Sequence, residues 1–102
     1  MATVEELTDR IRQAAASGES LSRTVKLDLK GEGFIHVDGS SVTNEDRPAD
    51  LVVRVSAADL VRLGKGELDP MRAVMTGRMK LSDMGLAMKL TPEIQALFER
   101  AV

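Results

Sequence analysis

The spacing of the apolar residues changes near Gly18, and this change limits the possible folds more than any other feature of the sequence. From Thr3 to Ser17, apolar side chains recur every three or four residues, which predicts an amphipathic helix. From Arg23 to Lys30, apolar and charged side chains alternate, which predicts a strand with one buried face. The chain is therefore expected to pack helices on a sheet.

Further strands and helices follow in an irregular order. Gly31-Glu32-Gly33 predicts a tight turn into a second strand at 34–37, and two more strands are predicted at 51–55 and 77–82. Later helices are predicted to begin near Ser56, Asp69, Ser82 or Asp83, and Thr91. Four or slightly more strands and about five helices in this order predict an α+β fold, with the helices on one face of a mainly antiparallel sheet.

The composition excludes several classes of protein. A length of 102 residues predicts one domain, residues 1–102. The net charge is -2, so the chain has no overall positive field to attract nucleic acid. Its two aromatic residues are both Phe and offer little surface for stacking bases, so no nucleic-acid partner is expected. The chain has no cysteine, which excludes disulfides and thiolate metal sites. It has no signal peptide and no apolar run near the ~18 residues of a membrane span, so we expect a cytoplasmic protein.

No pattern typical of an enzyme or a metal site occurs in the sequence. His36 is the only histidine, and no Ser/His/Asp order or Gly-x-Ser-x-Gly motif accompanies it. Glu45 and Asp46 lack the spacing of a calcium loop, and Gly31-Glu32-Gly33 lacks the helix and lysine of a phosphate loop. We therefore predict a protein that is not an enzyme and that uses no metal or cofactor.

The methionines are concentrated in one segment. Five of the six lie between Met71 and Met88. Methionine is unbranched and polarizable, so it adapts to irregular space. Composition alone favours an ordinary methionine-rich core. The alternative is a pocket for a long apolar ligand, whose lining would have to collapse when empty, because an empty cavity of ~300 Å³ would cost about 7 kcal/mol.

Several short motifs between Asp50 and Leu90 occur in a distinctive order. They are Ser56-Ala57-Ala58-Asp59-Leu60, Gly64-Lys65-Gly66-Glu67-Leu68-Asp69-Pro70-Met71, Ala73, Gly77-Arg78-Met79-Lys80-Leu81-Ser82 and Leu86-Ala87-Met88-Lys89-Leu90. Together they resemble the sterol carrier protein 2 domain family, and the order of predicted elements fits the whole chain. The chain lacks the Trp or Tyr that some family members carry. It also lacks a peroxisomal C-terminal address, and in this it resembles a stand-alone, bacterial-type member.

The resemblance implies a five-stranded sheet covered by helices, with a hydrophobic tunnel between the layers. The segment 41–44 is the candidate for the fifth strand. It also implies non-catalytic binding and transfer of sterols, fatty acids, fatty acyl-CoA or phospholipids. The expected partners are a lipid ligand and, transiently, a membrane, and the expected state is a monomer or weak dimer.

Nine residues are predicted to line the tunnel, with the C-terminal helix as a movable cover. They are Phe34, Leu60, Met71, Met75, Met79, Leu81, Met84, Met88 and Phe98. Arg78 and Lys80 are expected on the solvated face of a strand, or else near the tunnel mouth, where they could hold a carboxylate or a CoA phosphate. The alternative function is an accessory module with a filled core, which presents a lipid-like substrate to a partner enzyme. Its docking surface would be Ile94, Leu97 and Phe98.

Overall fold

The chain forms one five-stranded sheet and four helices within the residues that the structure describes. This structure is a computed structural model, and it describes residues 3–18 and 21–101. In chain order the elements are α1 (Val4–Ala16), β1 (Val25–Asp28), β2 (Phe34–Asp38), β3 (Ser41–Thr43), β4 (Leu51–Val55), α2 (Ala57–Gly64), α3 (Pro70–Met75), β5 (Met79–Leu81) and α4 (Met84–Ala101). The predicted α+β class is confirmed.

The strand order in the sheet is β3–β2–β1–β4–β5. β1 and β2 form the predicted antiparallel hairpin, β3 pairs antiparallel with β2, and β5 pairs antiparallel with β4. β1 and β4 are parallel. The sheet is therefore mixed but mainly antiparallel, as predicted. β3 lies in the segment that was the candidate for the fifth strand.

The strand register places the apolar residues of the central strands on the same face. Leu27 of β1 lies opposite Ile35 of β2 and Val53 of β4, and all three are buried. This face forms the core with α1 and α4, which pack against each other. On the opposite face, the Nζ of Lys26 lies 2.6 Å from the carboxylate of Asp46, so the loop before β4 covers part of that face.

The helices α1, α2 and α3 begin at the predicted capping residues. Thr3, Ser56 and Asp69 each accept a hydrogen bond from a backbone N–H in the first turn of the helix that follows. A side-chain acceptor at this position satisfies one of the N–H groups that a helix leaves unpaired at its start. The sequence therefore encodes these three helix starts locally.

The prediction of two helices after Ser82 is wrong, because α4 continues through Pro92. Proline has no N–H to donate within a helix, which normally ends the helix before it. Here Leu90 and Leu97, on either side of the proline, are both buried in the core, and this burial favours one continuous helix. The hydroxyl of Thr91 donates to the carbonyl of Ala87 inside α4 instead of capping a new helix.

Candidate functional site

A groove lies between the β4–β5 edge of the sheet and the helices α3 and α4. Its volume is about 460 Å³, which is within the range of small-molecule sites. β4 contributes Leu51 and Val53, and β5 contributes Met79 and Leu81. Because the side chains of a strand point alternately to its two faces, this spacing of two residues places each pair on the helix side of the sheet.

The helices form the other walls of the groove. α3 contributes Met71 and Val74, which are about one turn apart. α4 contributes Met84, Met88 and Phe98 along the same side of the helix. All of the lining residues lie between Leu51 and Phe98. The first half of the chain supports the groove through β1, which pairs in parallel with β4.

One side of the groove is open to solvent. Met71, Met84 and Met88 line it and are 55%, 44% and 65% exposed. The hydrophobic tunnel that the family resemblance implies is not shown by the described residues, which form a groove with one open side. The helix α3, which forms one wall, has six residues, of which only Ala73 is buried.

Six of the nine residues predicted for the lining are brought together in this groove. They are Met71, Met79, Leu81, Met84, Met88 and Phe98. The other three, Phe34, Leu60 and Met75, do not line it. The groove therefore takes no residue from the chain before β4, and all of its methionines come from residues 71–88.

Phe34 lies on the face of the sheet away from the groove. It lies opposite Asp28 in the β1–β2 register, and its neighbour Ile35 is the residue that faces the core. The Nζ of Lys26 lies 5.5 Å from the centre of the Phe34 ring, a distance typical of a cation–π contact. Phe34 therefore packs on the face away from the groove.

Leu60 and Met75 are excluded from the groove for opposite reasons. Leu60 is buried in the core, so its volume is already occupied by the protein. Met75 is 83% exposed, because it follows Val74 on a short helix and each residue is rotated by about 100° from the one before. Val74 lines the groove and Met75 points into solvent.

Seven apolar residues of the lining were missed by the sequence analysis. They are Leu51, Val53, Leu63, Pro70, Val74, Ala87 and Ile94. A signal was available for some of them. Leu51 and Val53 alternate on one face of a predicted strand, and Ile94 precedes Phe98 by one helical turn. Ala87 follows Met84 by three residues on the same predicted helix, so its place was also indicated by spacing. Leu63 carried no such signal, because its place depends on how the helices pack.

The polar residues of the lining are Asp69, Thr91 and Gln95. Asp69 accepts a hydrogen bond of 3.1 Å from the backbone N–H of Arg72, and the Thr91 hydroxyl donates to the Ala87 carbonyl at 2.7 Å. These two side chains therefore serve the helices. No Lys, Arg or His occurs among the described residues of the lining. The groove is suited to hydrocarbon and presents no pair of groups for acid–base or nucleophilic chemistry.

The cationic residues considered for a headgroup lie away from this lining. The guanidinium of Arg78 is 3.3 Å from the carboxylate of Asp59, which also lies 3.4 Å from Arg62. Lys80 lies opposite Arg54 in the β4–β5 register and alternates with the lining residues of β5, so it is on the other face of the sheet. Arg78 is thus engaged in an ion pair that joins α2 to the start of β5.

His36 and the residues predicted as a docking surface pack inside the protein or line the groove. His36 is buried, and its Nε2 donates to the carbonyl oxygen of Pro48 at 3.1 Å. Leu97 and Phe98 are buried and Ile94 lines the groove, so these three residues do not form an exposed face. Within residues 3–18 and 21–101, no cluster of three or more His, Cys, Asp or Glu is placed to hold a metal ion.

Comparison with known proteins assigns the chain to a family. A sequence profile described as the SCP-2 sterol transfer family matches residues 4–95. The chain belongs to this family. It is 40% identical over 53 residues to Sterol carrier protein 2 of Oryctolagus cuniculus, a match that covers 51% of this chain and 10% of that protein. The chain therefore spans about a tenth of the length of this relative.

Solved structures share the fold of this family member. Sterol Carrier Protein 2 Like 2 of Aedes aegypti superposes with a TM-score of 0.73 at 23% identity, covering 87% of this chain and 94% of that one. Sterol Carrier Protein-2 of the same mosquito, solved in complex with the C16 fatty acid palmitate, has a TM-score of 0.69 at 16% identity, covering 90% of this chain and 94% of that one.

In the part of the chain that the structure describes, we find no helix with the length and hydrophobicity to cross a membrane.

Proposed function

We propose that this family member is a non-catalytic carrier that holds the aliphatic part of a lipid in the groove. The observation that supports this most directly is an apolar groove of about 460 Å³ whose walls come from β4, β5, α3 and α4. The ligand classes proposed are sterols, fatty acids, fatty acyl-CoA and phospholipids. The palmitate complex of the Aedes aegypti relative supports a long acyl chain as the shared element.

The energetics are compatible with reversible binding. A chain of ~16 carbons buried at ~0.8 kcal/mol per methylene gains about 12 kcal/mol. Association costs of ~4 kcal/mol or more leave an affinity in the micromolar range. A carrier needs this balance, because a ligand held much more tightly would not be released.

The lining residues have different proposed roles. Met79, Leu81 and Phe98 form the inner surface against which the chain lies, and Met71 and Met88 at the open side adapt to its width. A charged headgroup would remain in water beyond these methionines, because the described lining contains no cation.

The movable part is proposed to be α3 rather than the C-terminal helix. α4 packs on both α1 and α2, and Leu97 and Phe98 anchor it in the core. α3 buries only Ala73 and packs mainly on β5. Elements with few buried apolar contacts open at the lowest free energy, so α3 is the wall that should yield when a ligand enters.

Lipid content and lipid uptake test the carrier function. Native mass spectrometry of the protein from cells should show bound lipid, and delipidated protein should take up a fluorescent fatty acid or sterol analogue. Ala87→Phe should fill the groove and lower this uptake at least tenfold. Ala96→Phe is the matched control, because it adds the same ring to α4 at a residue outside the lining. Circular dichroism would check that both variants are folded. Delipidated protein that binds neither analogue would refute the carrier function.

A further inference from the structure

Three exposed methionines line the open side of the groove, and a fourth, Met75, is one turn from Met71 on α3. We call Met71, Met75, Met84 and Met88 the methionine patch. They are 55%, 83%, 44% and 65% exposed, and they are the large apolar side chains that are exposed in the described part of the chain. Exposed apolar side chains gathered in one place are typical of an interaction surface, whereas isolated ones are not informative.

The geometry of the two helices directs the patch outward. Met71 and Met75 stand two residues before and after Ala73, which is completely buried, so both lie on the side of α3 opposite the core. Met84 and Met88 are one turn apart on α4. Three of the four also line the groove, so the patch and the opening of the groove are continuous.

The charge of the surrounding segment complements an anionic surface. Residues 60–90 contain six Lys and Arg against three Asp and Glu, although the chain as a whole has a net charge of -2. Three of the cations outside β5 are exposed and make no ion pair within the described residues: Lys65, Arg72 and Lys89. Arg72 lies between Met71 and Met75 on α3.

We propose that the methionine patch and Arg72 dock this protein on the surface of an anionic lipid bilayer. Unbranched thioether side chains can enter the boundary between headgroups and acyl chains, and adjacent cations are attracted to anionic headgroups. The groove would then open onto the bilayer, and a lipid could pass between the two without exposing its chain to water. This inference rests on the proposed carrier function and adds the surface from which the ligand comes.

Sedimentation with vesicles tests the docking. The protein should bind vesicles in which part of the phosphatidylcholine is replaced by phosphatidylglycerol, and added salt should weaken this binding. Arg72→Glu should lower the vesicle affinity roughly 25-fold, because each unit of charge near an anionic surface changes the affinity about fivefold. Arg10→Glu is the matched control and should change it less than about twofold. Arg10 lies beside Arg100, which is twelve residues from Met88 along α4, or ~18 Å.

A fluorescent reporter tests the apolar part of the proposal. The chain contains no Trp or Tyr, so a single introduced tryptophan gives a signal without background. Met75→Trp should shift its emission to shorter wavelength on anionic vesicles and be quenched by brominated acyl chains. Ala16→Trp, at an exposed residue of α1, should show neither change. Met75→Gln should lower vesicle affinity by about fivefold or more.

Groove binding in the absence of vesicles separates this proposal from the carrier function. Met75 and Arg72 do not line the groove, so Arg72→Glu and Met75→Gln should take up the soluble fatty acid analogue as the unmodified protein does. Vesicle binding that is absent, or unchanged in both variants, would overturn the docking surface while the carrier function stands. A stoichiometric complex with a purified protein that Met75→Gln abolishes, formed without vesicle binding, would likewise overturn it.

Discussion

Removing the carboxylate of Asp59 should destabilise the protein more than removing any exposed carboxylate. The Asp59 side chain is 11% exposed and lies 3.4 Å from Arg62 and 3.3 Å from Arg78. In Asp59→Ala both guanidiniums lose their counter-ion, and the link between α2 and the residue before β5 is lost. A buried charge-assisted hydrogen bond contributes ~1.5–3 kcal/mol. Both arginines are about half exposed and both distances are long, so we expect a total loss of about 2–3 kcal/mol.

The pair Asp9–Arg12 provides a matched control on another helix. It has the same residue types and the same spacing of three, and its distance is shorter, at 2.9 Å. Its carboxylate is 66% exposed, so solvent screens the interaction and Asp9→Ala should cost no more than about 0.5 kcal/mol. If distance rather than burial determined the contribution, the order of the two variants would be reversed.

Chemical denaturation measures the difference directly. Urea unfolding at neutral pH should give the lower midpoint for Asp59→Ala, and its melting temperature should fall by about 10 °C or more. Asp59→Asn should fall between the two, because the amide keeps one acceptor and loses the charge. An Asp59→Ala variant as stable as Asp9→Ala would refute the reasoning, since burial of the carboxylate would then have no energetic effect.

Three further results are expected. Pro92→Ala should raise the free energy of unfolding by about 1 kcal/mol or more in urea unfolding, because it restores an N–H within α4; a loss of stability would contradict the continuous helix. Asn44→Ala should lower it by about 1–2 kcal/mol, because the Asn44 amide donates to Thr8 and to the Phe34 carbonyl, and an unchanged midpoint would show that these bonds are not formed. A bound fatty acid analogue at a hundred times its dissociation constant should raise the stability of the delipidated protein by ~2.7 kcal/mol in a thermal shift assay, whereas no shift would indicate that it binds the unfolded chain equally well.

The local elements of the fold could be predicted from sequence because their signals are local. The alternation at β1, the turn before Phe34 and the caps at Ser56 and Asp69 each depend on neighbouring residues. The parallel pairing of β1 with β4 joins segments with two strands between them, and no local pattern encodes it. At Pro92 the local signal was misleading. Proline predicts the end of a helix, but the burial of Leu90 and Leu97 on either side of it favours one continuous α4.

The candidate site was predictable where one side chain type marks it, and not where helix rotation decides. The methionines of residues 71–88 mark the groove, and most of them line it. On α3, the sequence analysis assigned both Met71 and Met75 to the lining. The structure instead buries Ala73, which turns Met75 into solvent. A six-residue helix is too short for its apolar periodicity to fix its rotation, so tertiary packing determines which methionines face the groove.

The open side of the groove has an energetic explanation. A closed, empty cavity of about 460 Å³ would cost about 11 kcal/mol at ~24 cal/mol per Å³. That is comparable to the whole stability of a domain, ~5–15 kcal/mol. An open groove fills with water and avoids most of this cost, but it leaves apolar side chains exposed at its edge. Methionine suits this edge because its flexible side chain can fold over the empty groove and move aside for a ligand. Under the proposed carrier function, the exposed methionines are therefore the consequence of keeping a binding space in so small a protein.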